Sequence, residues 1–343
     1  MEPRIYHYDQ PFPLEMGGEL PGLTIAYHTY GNLNERGDNA VWVCHALTAN
    51  SEVDDWWPHT VETGCFLDPD RYFVVCANIL GSCYGTTGPA SINPETGSPY
   101  YGSFPRVTIR DIVRAHVILA DALGLEHIHR IVGSSVGGFQ AIEWAVTQPE
   151  RFDELVFIAS DVKASPWLIA VDETQRMAIF ADSTYGQPRK DAGAKGLGAA
   201  RALGLLTYRG PSGYNATQQD KPDYRLGQLH RAQTYQEHQG NKLVNRFDAY
   251  SYVSILDSFD THDIGRGRGG VEKVLSELNL NTIVIGLTTD LCFPPSDMRH
   301  IAGMIPGARY HEIDSPFGHD GFLVEHEQLN NLLLESVSYT HLT

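Results

Sequence analysis

The sequence predicts an α/β protein: a mostly parallel central sheet with helices on both faces and a helical segment inserted between two of its strands. Three observations predict it. Short apolar, β-branched runs recur along the 343-residue chain, as strands buried on both faces require. Segments with helical spacing and helix-end signals lie between them, and that alternation favours a parallel sheet. From about Ser165 to about Leu280 the strand signal disappears.

The elements follow in order. Gly22 to Tyr30 and Ala40 to Cys44 are early strands, and Tyr72 to Ala77 is another, apolar throughout. Thr108 and Asp111 make a capping box that opens a helix. Ile112, Val113, Leu119, Ala120 and Leu123 give that helix an apolar face, and Gly124 ends it. Ile128 to Val132 is a short buried strand and Gly138 to Val146 a helix. Glu154 to Ala159 is the strand after it. The strandless segment holds alanine-rich helical stretches, such as Gly198 to Leu206, and polar loops, such as Gln218 to Gln228. Asn281 to Leu287 and Arg309 to Asp314 are the last strands, and Gln328 to Glu335 is a periodic helix. This divides the chain into a core of residues 1–164 and 281–335, an inserted helical lid of residues 165–280, and an atypical tail of residues 336–343 that loses the pattern.

Between the Ile128–Val132 strand and the helix after it stands Gly133-Ser134-Ser135-Val136-Gly137. It fits the G-x-S-x-G nucleophile elbow, a turn so tight that flanking residues must be small and one serine hydroxyl is lifted out at the top of the sheet. The string alone occurs by chance; a strand before it and a helix after it are the context it needs, and point to the α/β-hydrolase fold. Ser135, midway between the glycines, is the candidate nucleophile. Serine needs a base to take its proton and an acid to orient that base, and in this fold they follow as Asp or Glu, then His. Asp290 lies just past the Asn281–Leu287 strand, before Pro294 and Pro295. His319 sits in a glycine-flanked loop after the last strand. Singly, these would read as a strand-end cap and a satisfied loop histidine. In chain order behind an elbow, the triad Ser135, Asp290, His319 is the better reading. Two oxyanion donors are expected: the Val136 N–H, and the Leu47 N–H from the loop after Ala40–Cys44. His45 in that loop is read as a loop-shaping residue, because His319 fits the role of base better.

Bulk properties exclude several classes. A formal net charge of −17 argues against nucleic acid and anionic membranes as partners. None of the five cysteines forms a Cys-x-x-Cys pair, and Cys44 and Cys76 fall in strands, which suits a reducing cytoplasm. Despite fifteen histidines there is no H-E-x-x-H or similar pair, so no metal is expected. The N-terminus lacks the apolar stretch of a signal peptide, and no run approaches the ~20 apolar residues of a membrane span. The Asn215-Ala216-Thr217 sequon is idle in a cytoplasmic protein.

The chain resembles the homoserine O-acetyltransferase family, acyl-CoA-dependent transferases of the α/β-hydrolase fold. The resemblance is carried by Cys44-His45-Ala46-Leu47-Thr48, Tyr84-Gly85-Thr86-Thr87-Gly88-Pro89, Thr108-Ile109-Arg110-Asp111-Ile112-Val113 and the elbow with Gln140-Ala141-Ile142-Glu143-Trp144. It continues in Leu206-Thr207-Tyr208-Arg209, Arg246-Phe247-Asp248 with Ser251-Tyr252, and Gly318-His319-Asp320-Gly321-Phe322-Leu323. It implies a two-step transfer of an acetyl group from acetyl-CoA, a co-substrate rather than a bound cofactor, through Ser135 to the side-chain hydroxyl of L-homoserine, in methionine biosynthesis. It also implies that Arg209 and Asp320 bind the zwitterionic acceptor, and that the protein is a homodimer through lid helices. An arginine fork suits a carboxylate and an aspartate suits an ammonium group. The alternatives for these two are a surface lid arginine and a helix N-cap. Val136, Phe139, Ala49 and Tyr250 depart from the usual family pattern near the oxyanion loop and expected acyl tunnel. Succinyl-CoA as donor, L-serine as acceptor, and an esterase on the same triad therefore stay open. CoA is anionic, so its site must be a local basic patch. Arg266 and Arg268 in the Gly265–Gly270 loop are candidates for it, with a plain surface turn as the alternative.

Overall fold

The computed structural model describes residues 1–339. Its centre is an eight-stranded sheet. The strands are β1 (Arg4–Tyr8), β2 (Leu23–Tyr30), β3 (Ala40–Cys44), β4 (Phe73–Ala77), β5 (Ile128–Ser134), β6 (Phe152–Ile158), β7 (Asn281–Leu287) and β8 (Arg309–Ile313). Their spatial order is β1-β2-β4-β3-β5-β6-β7-β8. β2 pairs antiparallel with both β1 and β4; every other pairing is parallel. Side chains alternate between the two faces of a strand, and each face here has its own core. Trp42, Val75 and Ile131 point to one side, with Phe139 and Trp144. Val41, Val43, Val74 and Val132 point to the other, with Trp57, Phe322 and Leu329. With both faces covered, the central strands are apolar along their whole length, which is why they stood out in the sequence.

The helices that cover the sheet are α1 (Ile109–Ala122), α2 (Val136–Thr147), α8 (Pro295–Met304) and α9 (His326–Tyr339). Those between β6 and β7 are α3 (Pro166–Phe180), α4 (Ala194–Thr217), α5 (Arg231–Val244), α6 (Ala249–Asp260) and α7 (Val271–Glu277). α1 starts as its sequence requires: Thr108 Oγ1 accepts the Asp111 N–H at 3.2 Å, and the Asp111 carboxylate accepts the Thr108 N–H at 2.9 Å. Gly124 beyond its end has φ +71°, the left-handed conformation that favours glycine. α3 opens with Ser165, whose hydroxyl accepts the Leu168 N–H, and Pro166 in the first turn. α4 is broken at Gly210 (φ 62°, ψ 168°), with Pro211 next, so Tyr208 and Arg209 lie at the end of its first half.

Two features depart from the sequence reading. β1 was not foreseen; it is an edge strand with mixed polarity and mostly exposed side chains, so it lacks a buried strand's signature. α9 runs on past Glu335 to Tyr339 rather than losing its pattern there. Residues 340–343 of the atypical tail lie outside the described residues.

Candidate active site

Ser135 joins β5 to α2 with φ 54° and ψ −127°, a conformation that costs a non-glycine residue roughly 1–3 kcal/mol. The surroundings hold it there. Its N–H points to the carbonyls of Ile158 and Ala159, at 3.1 and 3.2 Å. Its carbonyl accepts the Gly138 N–H at 2.9 Å and the Ser160 hydroxyl at 2.6 Å. The glycines are required by close approach: a Cβ on Gly133 would lie 2.2 Å from the Gly137 carbonyl oxygen, and one on Gly137 would lie 2.0 Å from that of Cys44.

Asp290 follows the end of β7. Its Oδ1 accepts the N–H groups of Cys292 and Phe293, at 2.7 and 3.0 Å. Its Oδ2 lies 2.8 Å from His319 Nδ1. His319 is carried on a single turn after β8, anchored where Gly318 N–H donates to Thr289 Oγ1 at 2.9 Å. Burial of the imidazole works against its charged form. The facing Asp290 carboxylate, its hydrogen bond and nearby Asp320 outweigh this, so the His319 pKa is raised above its ordinary 6.5. With Nδ1 bound to Asp290, Nε2 is the nitrogen left for proton transfer. Ser135, His319, Leu47 and Val136 line one cavity of about 380 Å³. Among the described residues, Asp290, Cys292 and His319 are the one His, Cys and carboxylate group close enough to share an ion, and the Asp290–His319 hydrogen bond runs inside it.

Val136 is the first residue of α2, where the N–H groups have no partner within the helix. The loop carrying Leu47 is tied down by His45. Its Nε2 accepts the Ile79 N–H at 3.1 Å, so Nδ1 carries the proton and donates to the Ala46 carbonyl at 2.9 Å. Burial pushes this imidazole down to about 4, so it stays neutral. Gln140 joins the two donor elements. Its amide nitrogen, with one hydrogen for each, donates to the carbonyls of His45 (3.3 Å) and Val136 (3.1 Å). Its Oε1 accepts from His116 Nε2 at 2.9 Å. Sequence reasoning named Gln140 only within a block that carries the family resemblance, and did not name His116; the available signal was an amide side chain one turn after the elbow.

Around the same cavity stand Arg201, Lys242, Arg246, Asp172 and Asp320. Arg209 lies behind Asp320, its Nε donating to Asp320 Oδ2 at 2.8 Å. The two residues paired in the sequence reading are thus brought together, with Asp320 on the cavity wall. Arg266 and Arg268 are not brought to this cavity. Arg266 pairs with Glu15 at 3.0 Å and Arg268 with Glu143 at 2.6 Å. The glycine-rich loop is therefore held against α2 and the N-terminal segment, and its arginines are already neutralised by carboxylates.

A family model described as the alpha/beta hydrolase fold matches residues 39–326. The homoserine O-acetyltransferase of Cyclobacterium marinum is 43% identical over 97% of this chain and 94% of its own. The chain belongs to the homoserine O-acetyltransferase family. A solved member, the homoserine O-acetyltransferase from Staphylococcus aureus, superposes with a TM-score of 0.81 at 30% identity, covering 99% of this chain and 97% of that one. Esterase E22 superposes with a TM-score of 0.86 at 23% identity, over 97% of this chain and 99% of that one, a likeness of fold alone. Family membership and geometry meet at the same residues. The blocks that carried the resemblance supply the elbow, the Leu47 loop, the end of the first half of α4 and the His319 turn.

Proposed function

We propose that the protein transfers an acetyl group from acetyl-CoA to the side-chain hydroxyl of L-homoserine, through an acetyl ester on Ser135. The observation that carries this is the shared cavity, which an elbow serine, an Asp290-bound histidine and a charged subsite that includes Asp320 line together. His319 Nε2 takes the proton as Ser135 Oγ attacks the thioester carbon. The oxyanion is received by the N–H groups of Val136 and Leu47. The thioester bond breaks, and His319 returns the proton to the leaving CoA sulfur. The homoserine hydroxyl then gives its proton to His319 and attacks the ester carbon; Ser135 regains a proton as it leaves. Asp320 receives the acceptor ammonium group, and Arg209 orients Asp320 through the hydrogen bond from its Nε.

The test is thiol release. Acetyl-CoA or succinyl-CoA is mixed with the protein, with and without L-homoserine or L-serine, and free CoA is followed. A burst without acceptor, then turnover only with acetyl-CoA and L-homoserine, is expected. Turnover with another pair would rename the substrates, and steady release that ignores the acceptor would make the protein an esterase.

The reading includes a cytoplasmic enzyme of methionine biosynthesis with small-molecule substrates and neither metal nor cofactor beyond the CoA co-substrate. Among the described residues no helix is long and apolar enough to cross a membrane. A homodimer through the lid is supported by exposed apolar side chains on α3 and α4: Trp167, Met177, Phe180, Leu203 and Leu206. Sedimentation at micromolar concentration is expected to give twice the chain mass; a monomer there would refute it.

A further inference from the structure

Just past Asp290 stands a side chain that the transfer chemistry does not use. Cys292 lies in the turn between β7 and α8, where its N–H donates to Asp290 Oδ1 at 2.7 Å. It is a free thiol and lines the same cavity as Ser135 and His319. One donor atom from each of Asp290, Cys292 and His319 lies within 4.8 Å of the others. His319 Nδ1 is the ring nitrogen on the Asp290 side, 2.8 Å from Oδ2. A carboxylate, an imidazole and a thiolate are the three side-chain ligand types that zinc takes. Zinc–ligand bonds of about 2.0–2.3 Å set tetrahedral ligand atoms roughly 3.3–3.8 Å apart. The Asp290–His319 pair is closer than that, and the whole group is at most 4.8 Å across. Side-chain shifts of about 1 Å would therefore close all three ligands on one ion.

We propose that Asp290, Cys292 and His319 form a site for a thiophilic divalent cation, zinc above all, and that the cation switches off the catalytic base. The ion is an inhibitor, not a cofactor of the reaction. The proposal rests on the acyl-transfer reading only in taking His319 as the base. On binding, an Sγ–metal bond replaces the Cys292 Sγ–H bond, and that proton goes to solvent. Nδ1 of His319 exchanges its N–H bond for a bond to the metal, and the ring takes up a proton at Nε2 from solvent. Nε2 then cannot accept the Ser135 proton, so no ester forms. The thiol decides which cation binds. Burial and the Asp290 charge push its pKa well up, so it keeps its proton until an ion able to displace it arrives. Zn²⁺ and Cd²⁺ do this, whereas Mg²⁺ and Ca²⁺ prefer oxygen ligands. An ion on surface imidazoles has no such effect. His127 Nε2 and His129 Nδ1 both lie 3.1 Å from Asp153 Oδ2, but that group has no thiol and is not part of the cavity wall.

The experiment titrates Zn²⁺, Cd²⁺ and Mg²⁺ into the unsubstituted protein, C292S, C292A and S135A, with two readouts. Cadmium binding is followed by the ultraviolet charge-transfer band of the cadmium–thiolate bond. Acetylation of Ser135 is followed by intact mass, with acetyl-CoA equimolar to the protein so that little free CoA thiol competes for the ion. The thiolate band is expected in the unsubstituted protein and in S135A, and should be lost in C292S and C292A. Saturating Zn²⁺ should slow acetylation of the unsubstituted protein by on the order of 10³–10⁴-fold, the cost of the wrong tautomer. C292S and C292A, each compared with its own metal-free rate, should need on the order of 100-fold more zinc for the same effect. Mg²⁺ should not inhibit at these concentrations. Equal zinc sensitivity in C292A, or an equal cadmium band there, would place the ion on other residues. Equal inhibition by Mg²⁺ would mean a site made of carboxylates alone, and a thiolate band with unimpaired acetylation would mean that the ion leaves the base free. Each of these results overturns the proposal. A metal-free protein that is never acetylated would instead sink the acyl-transfer reading and with it the claim on the base, while the cadmium band would still support or refute the ion site.

Discussion

Ser135→Ala protein is expected to show no CoA burst and a kcat lowered by on the order of 10⁶-fold, with its melting temperature unchanged within a few degrees. The rate loss follows from the two-step scheme, since without Oγ there is no ester to form and the remaining groups have no nucleophile to activate. Fold retention follows from what holds the elbow. The strained φ of Ser135 is maintained by its backbone, through Ile158, Ala159, Gly138 and Ser160, and alanine keeps all four contacts. Intact-mass measurement after mixing with acetyl-CoA separates the two parts. An acetyl adduct that persists in the alanine variant would mean another nucleophile does the chemistry, and the assignment of Ser135 would fail.

How much of this site was legible in the sequence depended on how strictly each part constrains its residue. Gly133 and Gly137 face backbone at distances no Cβ can occupy, so the elbow is written as a pattern. The order of β5, β7 and β8 along the chain fixes where the acid and base must follow, which is why Asp290 and His319 could be located from strand ends. Gln140 was visible as a residue but not as a bridge, because its two carbonyl partners lie in segments far apart in sequence. The basic Gly265–Gly270 loop showed the converse. Its composition suggested an anion site, yet Glu15 and Glu143 claim its arginines, and the sequence does not mark that pairing.

Asp290→Asn should cost about 10⁴ in kcat while leaving the fold in place, because the change reverses one hydrogen bond and removes one charge. The Asp290 Oδ1 accepts two backbone N–H groups, so the asparagine carbonyl will settle there and turn its NH₂ toward His319. Nδ1 must then accept, the ring proton moves to Nε2, and the nitrogen facing Ser135 can no longer take a proton. The pH profile gives an independent reading. Catalysis needs neutral His319, whose pKa is raised above 6.5 by Asp290 against the effect of burial. In the native protein kcat/KM should therefore fall as pH drops through that raised value, giving an acid limb above 6.5. In the asparagine variant burial acts without the carboxylate, and the limb should move to lower pH. Stability runs the opposite way. A histidine pKa raised on folding stabilises fully below the unfolded value, and that contribution is lost as pH rises through the folded one. Across the window above 6.5 the native protein should thus gain activity while losing this part of its stability, and Asp290→Asn should flatten both trends. An acid limb that stays in place in the variant would mean that another group controls the rate.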